Sequence, residues 1–213
     1  MTMPHAHLSP DIPAAAELRA FYEQGQPYDA SVSSSKPHEQ AAWNAVRARL
    51  ILTPAQHALV SSFSRKLHIL VLSGPWCGDC AAQVPMLDAL ANASPPDLVN
   101  LRILDRDEHI DLAERVKICG GLRVPTVLIL NEDFDLLVLM GDQTLSRLRA
   151  KARKQLASSN AGPACDLPSA STANTSANAA TDEAATLQDW LDALERAHLT
   201  ARLSPKLRQR HGD

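Results

Sequence analysis

Large side chains are scarce in this chain: of 213 residues, three are Trp, two Tyr and three Phe, an aromatic fraction of 4%. Aromatics supply much of the area that anchors a core, so one buried core with appendages is expected rather than two full domains. Cysteine is sparse as well, and four residues are too few and too unevenly placed to form a disulfide framework. No apolar run approaches the roughly 18 residues that a membrane-spanning helix requires. The opening stretch, interrupted by Pro4, Pro10, Asp11, Pro13, Glu17 and Asp29, has no secretory signal pattern. A formal net charge of -3 exerts no broad pull on nucleic acid or anionic lipid. These absences predict a cytoplasmic protein with no nucleic-acid or membrane partner, in which closely spaced thiols are catalytic, redox-sensing or metal-binding.

Residues 1–37 read as an N-terminal extension, loose apart from a short helix around Glu17 to Tyr22. Ala42, Trp43, Val46, Leu50 and Ile51 recur at helical spacing over His38 to Leu52. Thr53-Pro54 then opens a second helix, continued by Leu59, Val60, Phe63 and Leu67. His68 to Leu72 is a continuous apolar run ending at Ser73-Gly74-Pro75, which predicts a strand buried on both faces. Leu98 to Leu104 predicts a second, parallel strand. Cys80 to Ala91, a helix with Pro85 inside it, connects the two as a βαβ unit. A short helix over Asp111 to Ile118, a hairpin of Thr126 to Leu130 with Leu136 to Met140, and a helix over Thr144 to Leu156 close a domain spanning 38–157. In that last helix Leu145, Leu148 and Leu156 are expected on the sheet, with Arg147, Arg149, Lys151, Arg153 and Lys154 facing water. Residues 158–185, rich in Ser, Ala, Thr and Asn, read as a flexible linker. Residues 186–213 read as a C-terminal helix, striped by Leu187, Trp190, Leu191, Leu194 and Leu199, and a basic tail.

The chemistry concentrates in the run Trp76-Cys77-Gly78-Asp79-Cys80. Cysteines at i and i+3 where a helix begins set the first thiol beside unpaired backbone amides and the positive end of the helix dipole. Its thiolate is stabilised there, so Cys77 is the expected attacking thiol. Cys80, one turn later, can attack the resulting mixed disulfide from within the molecule, release the substrate and close a ring with Cys77. Zinc sites use the same spacing, and a metal- or iron-sulfur-binding module is the competing reading. No second cysteine or histidine pair of suitable spacing accompanies this one. Cys119 is expected as a buried apolar thiol and Cys165 as incidental, although the two could form an accessory disulfide. His5 and His7 read as a polar tail, and Asp105, Asp107 and His109 as loop charges after a strand end.

With Pro85 five residues beyond Cys80 and Val124-Pro125-Thr126 opening a later strand, the chain resembles the thioredoxin family over Thr53 to Leu156. The resemblance implies a thioredoxin-like three-layer α/β/α fold with a mixed central sheet, here with N- and C-terminal helical extensions. It implies a redox-active cysteine pair with no organic cofactor and no metal. The implied partners are disulfide-containing proteins or small thiol substrates, with an upstream reductant such as a thioredoxin reductase or a low-molecular-weight thiol. It further implies a cis Pro125, with Val124 exposing backbone to an extended substrate, Thr126 beside it, and Trp76 as an apolar contact over the thiols. Trp76, Gly78, Asp79 and Pro125 are thus the supporting residues, and Trp76, Val124, Pro125 and Thr126 the substrate surface. Two departures stand out. The buried acid that family members carry six residues before the first cysteine is Val71 here. The proline they carry between the cysteines is Asp79, whose charge opposes a neighbouring thiolate; it, or a water it holds, is a candidate base for Cys80, and an exposed acid at a helix start is the equally open reading.

Overall fold

All seven residues of strand β1 (Leu67–Ser73) are buried, as an apolar strand with a helical layer on each face must be. In this computed structural model, which describes residues 12–156 and 175–212, β1 pairs parallel with β2 (Val99–Asp105) and antiparallel with β3 (Thr126–Leu130). β3 in turn pairs antiparallel with β4 (Leu136–Met140), giving a mixed sheet of order β2-β1-β3-β4. Successive strand residues face opposite sides. Ile69 and Val71 therefore enter a layer with residues of α3 (Pro37–Arg49), α4 (Pro54–Ser61), α5 (Gly78–Ala93) and α8 (Thr175–Leu203). Leu70 and Leu72 join Leu18 and Tyr22 of α1 (Ala15–Gln24) and Leu112 and Ala113 of α6 (Ile110–Arg115) on the other side. The result is the expected three-layer α/β/α fold.

The N-terminal segment has the expected short helix over Glu17 to Tyr22, but that helix is longer, has a second helix after it and is packed rather than loose. From residue 15 it forms α1 and α2 (Tyr28–Ser33), which bury Leu18, Tyr22, Tyr28 and Val32. Between them Gln26 exchanges two 2.8 Å backbone hydrogen bonds with Ile103 at the edge of β2. The apolar stripe is broken by Gly25-Gln26-Pro27, which hides its periodicity in the sequence. Leu67 starts β1, opposite Val99, rather than ending a helix, because α4 stops at Ser61. Ile51 lies past the end of α3 and is 83% exposed.

In α7 (Leu145–Leu156), Leu145 and Leu148 are half-exposed instead of lying on the sheet. This helix is held by α8: the Asp189 carboxylate accepts the Ser146 amide at 2.7 Å, capping the α7 N-terminus. Residues 175–185, expected as linker, are the first turns of α8, consistent with the high helix propensity of their alanines. Cys165 and the rest of the expected linker up to residue 174 lie outside the described residues, as do His5 and His7. α8 buries Leu187, Trp190, Leu191 and Leu194 completely or nearly so, while Leu199 is exposed. The following α9 (Pro205–His211) grips the β3–β4 turn through Arg210–Asp133 at 2.5 Å, His211–Asp133 at 3.3 Å and Lys206–Asp135 at 3.5 Å. The C-terminal segment thus docks on its own domain. No helix among the described residues is long and apolar enough to cross a membrane.

Because Trp190 is fully buried in the layer that carries α5, Trp190→Ala should lower the unfolding free energy by about 3–5 kcal/mol. Urea denaturation reads this directly. A loss under about 1 kcal/mol would mean that α8 is not part of the core.

Candidate active site

Cys77 is the N-cap of α5, a 16-residue helix. Its sulfur accepts the Cys80 amide N–H at 3.3 Å, taking a place usually filled by a side-chain oxygen. Gly78 at the first helical position has open space where a Cβ would stand, so packing does not demand glycine there. Gly74 is different: a Cβ would come within 2.6 Å of the Trp76 indole, which folds back over it. The loop before Cys77 is pinned from three directions. The Cys77 amide bonds Gly74 O at 3.0 Å, Trp43 Nε1 reaches Pro75 O at 3.4 Å, and the Arg106 amide donates to Ser73 O at 2.8 Å.

The two thiols differ sharply in their surroundings. Cys77 is partly exposed and Cys80 fully buried. Hydrogen bonding from the Cys80 thiol, helped by the backbone amides of Cys80 and Asp79, pulls the Cys77 pKa down to about 6 against desolvation and the Asp79 charge. Burial pushes the Cys80 thiol strongly up, and the adjacent Cys77 sulfur adds to the effect. One sulfur is poised as a thiolate and the other held as a thiol within its reach. In its protonated form Cys77 also donates to Val124 O at 3.5 Å.

That contact joins Cys77 to the cis Val124–Pro125 bond that precedes β3. Val124 is 8% exposed and its carbonyl faces the thiol. Thr126 is buried, and its hydroxyl is spent on Arg123 O at 2.8 Å, so it braces the loop rather than offering a side chain to substrate. Trp76 is 52% exposed and is no core residue. The Arg106 guanidinium lies 4.9 Å from its ring centroid and also donates to Leu122 O at 3.3 Å, tying the Trp76 loop to the segment leading into Val124.

The Asp79 carboxylate is paired with Arg147 of α7 and accepts from Gln143 Nε2 at 3.1 Å. Its charge opposes the Cys77 thiolate, and its carboxylate is held by these two partners on α7 and the segment before it. Arg147, expected to face water, is instead this ion-pair partner; Arg106, Gln143 and Ser73 were likewise not singled out. Their positions follow from tertiary packing, and only the placement of Ser73 and Arg106 at strand ends hinted at it. Cys119, expected buried, is exposed at a left-handed turn with φ 51. Asp105 accepts the Asp107 amide at 2.7 Å and Asp107 pairs with Arg106, a self-satisfied loop. Among the described residues no three His, Cys, Asp or Glu side chains gather as a metal site.

Ser73, 2% exposed at the end of β1, has a buried hydroxyl that makes no hydrogen bond of ordinary geometry, although it lies near enough to the Cys80 sulfur to favour its ionised form. A buried unpaired hydroxyl costs on the order of 1–3 kcal/mol.

Alkylation of Cys77 should follow a titration with a midpoint near pH 6, while Cys80 stays unreactive in the folded protein. Asp79→Asn removes an opposing charge and frees the Arg147 cation, so the midpoint should fall. A midpoint near the ordinary thiol value of roughly 8.5, or an upward move in the variant, contradicts this electrostatic account.

A family model for thioredoxin matches residues 25–144. A Pseudomonas aeruginosa protein of unknown function has a similar structure, with a TM-score of 0.65 at 23% identity, covering 87% of this chain and 99% of that one. An HIV epitope-scaffold is also similar, with a TM-score of 0.55 at 22% identity, covering 87% of this chain and 93% of the other. No curated protein matches the chain. At such identities the two structures speak to fold alone, whereas the family match takes in both cysteines, the cis-proline loop and the whole sheet: the chain belongs to the thioredoxin family.

Proposed function

We propose that this protein is a thiol-disulfide oxidoreductase that works by dithiol-disulfide exchange, with Cys77 attacking and Cys80 resolving. The observation that carries the reading is the Cys77 sulfur at the mouth of α5, accepting the Cys80 amide at 3.3 Å with its pKa lowered to about 6. A thiolate is the nucleophile of exchange, and this one is partly exposed. It attacks one sulfur of a substrate disulfide, and the other leaves as a thiolate. Cys80 then displaces the bound sulfur from Cys77, so the substrate is reduced and the Cys77–Cys80 pair oxidised.

The geometry suggests how substrate is held. Exposed Trp76 offers an apolar face beside the nucleophile, and the Val124 carbonyl next to it suits an extended chain carrying the disulfide. Pro125 and Thr126 support that edge. Substrates of this reading are disulfide-containing proteins or small disulfides, and the pair is returned to the dithiol by a thioredoxin reductase or a low-molecular-weight thiol. No organic cofactor or metal takes part. The proposed setting is the cytoplasm, where such reductants keep a dithiol in turnover.

In an insulin-type disulfide reduction assay driven by a small dithiol, Cys77→Ser should abolish turnover, and Cys80→Ser should retain the first attack and accumulate a mixed disulfide on Cys77. Mass spectrometry of the trapped species identifies the client. If Cys77→Ser reduces insulin as fast as the unaltered protein, the assignment is wrong. Binding of one equivalent of zinc or iron through Cys77 and Cys80 in the purified reduced protein would favour a metal-binding module instead.

A further inference from the structure

Cys80 is fully buried, and to resolve the mixed disulfide its thiol must lose a proton to a group within reach. We propose that the Ser73 hydroxyl relays the proton of Cys80 during resolution of the mixed disulfide. The proposal rests on the exchange reading above and names the group that lets its second half run.

By strand alternation Ile69 and Val71 face the layer that contains Cys80, and Ser73, two residues further along β1, faces the same layer. Its backbone is fixed by the 2.8 Å bond from the Arg106 amide to its carbonyl, which leaves rotation about χ1 as the freedom of the hydroxyl. Ser73 Oγ is also buried without a hydrogen bond of ordinary geometry. Fully buried polar groups in native proteins are nearly always paired, and an exception calls for a reason. Here the resting Cys80 thiol is engaged with the Cys77 sulfur, leaving the serine waiting. Ser73 nevertheless stands close enough to the Cys80 sulfur, together with the Gly74 amide, to favour its ionised form.

From Ser73 the proton has a way onward. Ser73 and Gly74 form part of the wall of a cavity of about 180 Å³ that lies behind the active-site loop, under the N-terminal helices. Asp105, Glu108 and His109 line the same space, so its wall is polar and offers hydrogen-bond partners to water. A hydroxyl both accepts and donates, so it can take the thiol proton as it passes its own to water. Asp79 has no such place, since its carboxylate is bound to Arg147 and Gln143.

The step balances. The Cys80 S–H bond breaks, its proton moves to Ser73 Oγ, and the serine proton moves to cavity water. The freed electron pair on Cys80 forms the bond to Cys77 Sγ, and the bond from Cys77 to the substrate sulfur breaks with its electron pair leaving on a substrate thiolate. Both cysteines are oxidised, the substrate disulfide is reduced, and one proton is released.

The test is single-turnover reaction with an aromatic disulfide whose released thiolate is coloured, in a Cys119→Ser, Cys165→Ser background. A first, reagent-dependent phase reports attack by Cys77, and a second, reagent-independent phase reports closure by Cys80. Ser73→Ala should leave the first phase unchanged, slow the second about tenfold or more at neutral pH, and shift its pH profile upward. Ser73→Thr, which keeps a hydroxyl, should restore much of the second phase. A second phase in Ser73→Ala with unaltered rate and pH profile overturns the relay while leaving the exchange reading intact. Absence of any second phase in the unaltered protein overturns the exchange reading itself.

Discussion

A sulfur seated as the N-cap of a buried helix is the constraint on which the rest of this molecule depends. α5 can present Cys77 to solvent and hide Cys80 only because its body is sunk in the sheet's apolar layer, where Val84, Leu87 and Leu90 are fully buried. β1 supplies that layer's floor, and its last residues carry the chain into the active-site loop. Trp43 from α3 and the amide after β2 fix that loop from below. Core packing and thiol chemistry are therefore one problem: the helix that anchors the core also lends its free amides to the nucleophile.

Charge is arranged around this point with opposing signs. The amides and the Cys80 thiol favour the Cys77 thiolate, and Asp79 opposes it. Asp79 is in turn neutralised in part by Arg147, which α7 delivers and α8 holds in position through Asp189. The C-terminal helix thereby reaches the surroundings of Cys77 at second hand. On the opposite flank Arg106 sits over Trp76 and holds the loop before Val124, so one cation braces both segments that flank Cys77.

Much of this was legible from residue pattern. Strand β3 and β4 have the expected bounds, and β1 extends the expected run by one residue at each end, because apolar runs bounded by turn residues carry a strong local signal. The cysteine spacing at a helix start and the proline before β3 likewise announce themselves locally. What escaped is what depends on contacts distant in sequence. The expected helix around Glu17 to Tyr22 carries no sign that it docks, α2 shows no sustained stripe, the composition of 175–185 is that of a linker, and Arg147 reads as one of several solvated cations. Leu145 and Leu148 are exposed rather than on the sheet for the same reason: a helical stripe says that a face is apolar, not which element covers it.

The central claim is that Cys77 and Cys80 form a reversible redox pair. The most direct measurement is to equilibrate the Cys119→Ser, Cys165→Ser protein in dithiothreitol buffers of graded redox poise, quench with a mass-tagging alkylator, and count tags. The account predicts one cooperative two-electron transition, with both tags lost together and a Cys77–Cys80 disulfide in the oxidised peptide map. Two tags retained at every poise, or a bond from Cys77 to anything other than Cys80, would contradict it.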